Sequence, residues 1–133
     1  MPGLFRLSDA LRRELIVRAA ERPTEEVCGL IAGEGDVPRR LLPVTNHLHR
    51  AEAFDMDPAE LIAAMRDLRE AGQALVAIYH SHPHGPAYPS ATDIAANQYP
   101  EAVHVIIGRE GEEWSVRAFR LDEGIAELAI RTA

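Results

Sequence analysis

Apolar positions along the chain recur with two periods, and the changes between them lay out the elements. "LSDALRRELIVRAAERP" carries Leu11, Leu15 and Val17 to Ala19 as a rough apolar face behind a capping Ser8, and Pro23 ends this helix. "EEVCGLIAG" is a short apolar run closed by Gly33, which suits a buried strand. Gly35-Asp36 in "EGDV" is a hairpin-like turn into "PRRLLPVTNH", a second strand placed near a sheet edge by Pro38 and Pro43. "AFDM" reads as a further short strand. "DPAELIAAMRDLREAG" is the clearest helix: Asp57 caps it, Pro58 opens it, Leu61, Ile62, Met65 and Leu68 form its apolar face, and Gly72 stops it. "ALVAIYHSH" is a fully buried strand by its length and apolar run, and "SATDIAANQYP" a short helix. "AVHVIIG", "EWSVRAFRL" and "GIAELAIR" are three more strands, the last two joined at Asp122-Glu123-Gly124. With no repeat, low-complexity tract or linker, the pattern predicts one mixed α/β domain over residues 1–133, a central sheet flanked by helices.

Composition narrows the function classes. Hydrophobic residues make up 47% and charged residues 26%, as in an ordinary soluble globular protein. The net charge of −7 argues against binding to a nucleic-acid backbone, which needs a basic face. The apolar runs are too short to span a bilayer, and Arg and Asp interrupt any signal-like core near the start. A single cysteine, Cys28, excludes an internal disulfide framework. These features together suggest a cytoplasmic protein.

Three of the six histidines cluster in "IYHSHPHGPAYPSATD". Side chains at i and i+2 of a strand share a face, so His80 and His82 project side by side before Pro83 stops the strand. Ser90 and Asp93 share one face of a helix that Ser90 itself caps. Two imidazoles and a carboxylate form a sound zinc ligand set, with the fourth tetrahedral position open to water as in catalytic sites. An H-x-H pair alone is weak, and S-x-x-D alone usually marks only a helix start. The specificity lies in H-S-H-P followed by Ser eight and Asp eleven residues after His82.

"HSHPHGPAYPSATD", together with "EVCGLIAG" starting at Glu26, resembles the signature of the JAMM, or MPN-plus, zinc metallopeptidases, and the likeness in element order runs along nearly the whole chain. The resemblance implies a curved mixed sheet flanked by helices, similar to that of the cytidine deaminases. It also implies His80, His82 and Asp93 as ligands of one zinc ion. Glu26 would then take a proton from water and pass it to the leaving amine. Ser90 would hydrogen-bond the oxyanion. Of the adjacent pair, Glu26 rather than Glu25 has the family spacing to Cys28, Gly29 and Gly33.

Other candidates carry less. His84 follows Pro83 into a loop and suits solvent or substrate better than a ligand role; His47 and His49 lack a trailing acid and read as surface or sheet-edge residues. His104 reads as a strand residue. Cys28, in an apolar run without an adjacent cation, is a buried core residue rather than a nucleophile. Tyr88 and Trp114 have ordinary packing roles, although Tyr88 in the loop could also touch substrate.

Compact members of the family act on ubiquitin-like or sulfur-carrier proteins, which implies as substrate an amide bond at the C-terminal Gly-Gly tail of such a carrier. An extended tail could add beside an exposed edge, with "LLPVTNHLHRAEAF" as the candidate. The alternative is a non-catalytic interaction scaffold on the same fold, against which the filled ligand positions weigh. A deaminase would need C-x-x-C ligands that one cysteine cannot supply. A homodimer is left open.

Overall fold

The computed structural model describes residues 3–132; residues 1, 2 and 133 of the expected domain lie outside the described residues. A seven-stranded mixed sheet runs in the order β1-β7-β6-β5-β4-β2-β3. Its strands are β1 (Leu4–Arg6), β2 (Cys28–Glu34), β3 (Val37–Val44), β4 (Ala74–His82), β5 (Val103–Glu110), β6 (Glu113–Arg120) and β7 (Ala126–Arg131). The pairs β4–β5 and β1–β7 are parallel, and the others are antiparallel. β2 and β3 form the expected hairpin around Gly35, whose φ of 63° is left-handed, and β3 lies at the sheet edge as its prolines predict.

Strand alternation sorts the core into two faces. Tyr79 and Ala77 of β4, with Val105 and Ile107 of β5 and Ile31 of β2, pack against α1 (Asp9–Glu21) through Leu11, Leu15 and Ala19. Ile78 of β4, with Cys28 and Leu30 of β2, packs on the other side against α2 (Pro58–Glu70) through Leu68, Leu61 and Met65. His80 and His82 have the parity of Ile78, so the sheet itself directs them to the α2 side. Gly29, of opposite parity to Cys28, is required by close approach: a Cβ there would lie 2.5 Å from the Leu42 carbonyl oxygen and 2.7 Å from the Tyr79 ring.

Several expectations shift. β1 has no counterpart in the sequence reading; its three residues borrow their order from pairing with β7. β2 begins at Cys28, so Glu25 and Glu26 precede the strand rather than lie on it. Val17 and Ile62, expected on apolar faces, are exposed, because each helix buries a narrower stripe against the sheet. "AFDM" contributes one bridge, Met56 to Asn46, and no strand. The short helix α3 spans only Ala91–Ala95.

Candidate active site

β4 is an interior strand, paired on both sides, and its last turn of the pleat presents two imidazoles. His80 is buried, with its ring stacked on Phe54 at 4.6 Å between centroids. The Nε2 atoms of His80 and His82 lie 3.1 Å apart. Between them Ser81 points to the opposite face, where its hydroxyl accepts from the Val27 amide at 2.8 Å while its own amide donates to the Val27 carbonyl at 3.0 Å. The middle residue of H-S-H thus ties β4 to the residue directly after Glu26.

The loop after β4 returns over the sheet and delivers the carboxylate. Its backbone is so close to β5 at Gly108 that any Cβ there would collide with Pro86 and Ala87, and the Arg109 amide donates to the Gly85 carbonyl at 2.7 Å. Ser90 then caps α3 in a capping box with Asp93. Asp93 Oδ1 lies 3.1 Å from His80 Nε2, and Oδ2 lies 3.0 Å from His82 Nε2. S-x-x-D is therefore both a helix start and a site component. Ser90 Oγ accepts from the Asp93 amide, a bond that does not use its hydroxyl hydrogen.

Glu26 completes the group: its carboxylate, the two imidazoles and Asp93 each offer one ligand atom, and these atoms all lie within 4.8 Å of one another. Glu26 is 2% exposed and its Oε1 has no hydrogen-bond partner among the described residues. Glu25 turns the other way and meets His49 at 3.1 Å and Arg22 at 3.8 Å.

The electrostatics are those of titratable groups crowded together and largely buried. Burial, with the negative charge of Asp93, pushes the Glu26 carboxyl from 4.5 up to about 8, against the opposing pull of His82. Burial works to raise Asp93, but hydrogen bonds from His80 and His82 hold it well below the carboxylate range. Burial lowers His80; His82 is raised despite burial by Asp93 and by the Pro86 carbonyl. His82 Nδ1 sits 2.8 Å from that carbonyl, which keeps a proton on Nδ1, so release of the Nε2 proton that faces Asp93 would leave Nε2 as a ligand atom. The inward atoms are thus imidazole nitrogens and carboxylate oxygens converging at hydrogen-bond spacing, a donor set that fits a divalent cation such as zinc once the imidazoles are neutral. His80 Nδ1, on the far side of its ring, has no hydrogen-bond partner among the described residues.

The residues set aside by the sequence reading stay apart from this group. His84 is exposed in the loop, and His47 and His49 are exposed and paired with Asp55 and Glu25. Cys28 is buried, its thiol donates to the Val44 carbonyl at 3.3 Å, and burial pushes it up to about 12. His104 is buried and held by the Tyr99 carbonyl at 3.2 Å. It lines a cavity of about 590 Å³ beside His80 and Asp93, whose apolar wall includes Phe54, Met56 and Tyr99. Sequence reasoning missed Phe54, Ser81 and Asn46. Only Ser81 had a signal, its position between the two histidines on the other face of the strand.

Fold and site define a mixed α/β domain with four buried or half-buried side chains, among them the Glu26 carboxyl, grouped as they would be around a metal ion. The model of the prokaryotic homologs of the JAB domain matches residues 8–122, and the chain belongs to this family, the compact prokaryotic members of the JAMM/MPN group. It is 44% identical over 105 residues to a probable TtuB-protein conjugate cleaving protease of Thermus thermophilus, covering 78% of this chain and 66% of that relative. It is 33% identical over 113 residues to the CysO-cysteine peptidase of Mycobacterium tuberculosis, covering 83% of this chain and 77% of that one. The solution structure of protein DSY2949 from Desulfitobacterium hafniense superposes with a TM-score of 0.84 at 31% identity, covering 100% of this chain and 93% of that one. Among the described residues no helix is long and apolar enough to cross a membrane.

Proposed function

We propose that this chain is a zinc-dependent metallo(iso)peptidase that hydrolyses an amide bond at the C-terminal Gly-Gly tail of a ubiquitin-like or sulfur-carrier protein. The observation that carries the reading is the convergence of Glu26, His80, His82 and Asp93 on one point of the α2 face. The names of the relatives, a conjugate-cleaving protease and a CysO-cysteine peptidase, support the substrate class.

His80 Nε2, His82 Nε2 and the Asp93 carboxylate would hold the ion. When bound, zinc supplies Lewis-acid polarisation of the scissile carbonyl and makes water acidic enough to attack near neutral pH. Glu26 takes the proton of the attacking water and delivers it to the leaving nitrogen as the C–N bond breaks, which yields a carboxylate and a free amine. Burial favours the protonated form of this carboxyl, which suits its holding the proton between the two transfers. Ser90 donates its hydroxyl hydrogen to the oxyanion. The Pro86 carbonyl orients His82, and Phe54 covers His80 from solvent.

The test is incubation with the ubiquitin-like carrier encoded nearest in the genome, bearing an appended residue after Gly-Gly, followed by intact mass. Loss of the appendage that stops with chelator and returns with zinc is expected. A zinc-loaded protein that leaves such carriers intact overturns the reading.

A further inference from the structure

Asn46 is 2% exposed and lies between β3 and α2, in a segment that contributes none of the four converging residues. Its side chain makes four hydrogen bonds, the full capacity of its amide hydrogens and carbonyl lone pairs. Nδ2 donates to the Glu26 carbonyl at 3.1 Å and to the Ala53 carbonyl at 3.0 Å. Oδ1 accepts from the Leu48 amide at 3.1 Å and the Asp55 amide at 3.0 Å. The Glu26 amide in turn donates to the Arg50 carbonyl at 2.7 Å. Both backbone polar groups of Glu26 are therefore bound by the one loop that Asn46 closes.

We infer that Asn46 is a positioning residue: it fixes the main chain of Glu26 and so aims the proton-accepting carboxyl at the metal site. The inference rests on the assignment of Glu26 as the base. Glu26 stands outside the sheet ladder, which begins at Cys28, so strand pairing does not hold it. Misplacement of a reacting group by about 1 Å costs on the order of 100-fold in rate, which makes a rigid backbone anchor at this position consequential. The amide is specific in this role. A carboxylate at 46 would lose both donors, leucine would lose all four bonds, and only an amide supplies both donors and acceptors at this length. His80, His82 and Asp93 stand on β4 and α3, and none of the four hydrogen bonds of the Asn46 side chain goes to either element, so ion binding and base placement are separable.

The experiment uses the full zinc-loaded chain with the carrier substrate, comparing wild type, N46A, E26Q and the double variant. In N46A, zinc content by elemental analysis stays at the wild-type level, kcat falls about 100-fold, and KM changes little. In the E26Q background, N46A removes little further rate, because its effect runs through the same carboxyl. Independently of turnover, native-state hydrogen exchange at the Glu26 and Asp55 amides speeds up by about 10-fold or more, while the His80 amide is unchanged. Should N46A not fold, N46S, which leaves room for a water to take up the freed groups, shows the same pattern with a loss of about 10-fold. Unchanged kcat, equal losses in both backgrounds, or unaltered exchange at Glu26 overturns the inference. A wild type that binds zinc and cleaves nothing removes the peptidase reading and the base role with it, and the exchange data still decide whether Asn46 ties down Glu26.

Discussion

Ser90 and Asp93 hold each other from both sides: the Asp93 amide donates to Ser90 Oγ at 3.0 Å, and the Ser90 amide donates to Asp93 Oδ2 at 2.8 Å. The same Oδ2 lies 3.0 Å from His82 Nε2. The carboxylate is thus oriented by a helix cap, and one short motif links helix initiation to site geometry.

Ser90→Ala removes the cap acceptor and the hydroxyl donor together. It is expected to keep zinc, to lose about 1 kcal/mol of stability, and to lose about 100-fold or more in kcat. Ser90→Thr retains both functions and should restore most of each. Thermal melts with steady-state kinetics separate the two effects, and an S90A enzyme of wild-type kcat would remove Ser90 from the oxyanion role.

Glu26→Gln should bind zinc as wild type does and lose turnover by at least about 1,000-fold. Glu25→Gln should turn over normally, since Glu25 faces His49 and Arg22 rather than the site. Single-turnover assays on zinc-matched samples decide, and a dead E25Q with an active E26Q would reverse the assignment.

The zinc-free protein should carry a pH signature of Glu26. Burial raises its pKa from 4.5 to about 8, so between those values the folded state binds the proton more tightly than the unfolded chain. The contribution to stability is complete below 4.5 and is lost as pH rises through about 8. His80 and Asp93 titrate in both proteins, while the mutual pull between Glu26 and His82 is lost in E26Q and is part of the difference read. Urea unfolding in chelator should therefore show E26Q gaining on wild type as pH rises from about 5 to about 8, and a flat difference would contradict the buried carboxyl.

Zinc added to the chelated protein should raise the melting temperature by preferential binding to the folded state, about 2.7 kcal/mol at a free concentration 100 times Kd. His80→Ala, His82→Ala and Asp93→Asn should each abolish that shift. A full shift in any of them, read by calorimetry, would show that the residue is not a ligand.

Cys28→Ala should retain turnover. The thiol is buried and pushed up to about 12, so no thiolate forms at neutral pH. Native-state alkylation should be slow and become fast only in denaturant. Loss of activity beyond that explained by lowered stability would reopen cysteine chemistry.

The sequence exposed elements whose signals are local. α2 was legible because Asp57, Pro58 and Gly72 mark its ends, and β4 because an apolar run stops at Pro83. His80, His82, Ser90 and Asp93 were legible together because their spacings are short and their elements regular. β1 was not, since three residues carry no period. Ile62 looked apolar-faced by spacing, but the stripe that meets the sheet runs through Leu61, Ala64, Met65 and Leu68. Asn46 was invisible for a deeper reason: its bonds reach residues 20 positions back and 7 ahead, and no local pattern of an asparagine in a polar loop announces them.

The site's three expected ligands differ in how firmly the fold holds them. His80 and His82 stand at the end of an interior strand, paired on both sides and underpinned by Ser81. Asp93 stands on a helix of five residues, none of them buried as a whole, although the Asp93 side chain itself is. Unwinding that single turn would withdraw the carboxylate while leaving both imidazoles in place. Exchange of an ion held at this site would then follow the fraying of residues 91–95 rather than the opening of the sheet, and a lengthened or better-anchored turn would slow its capture and its loss together.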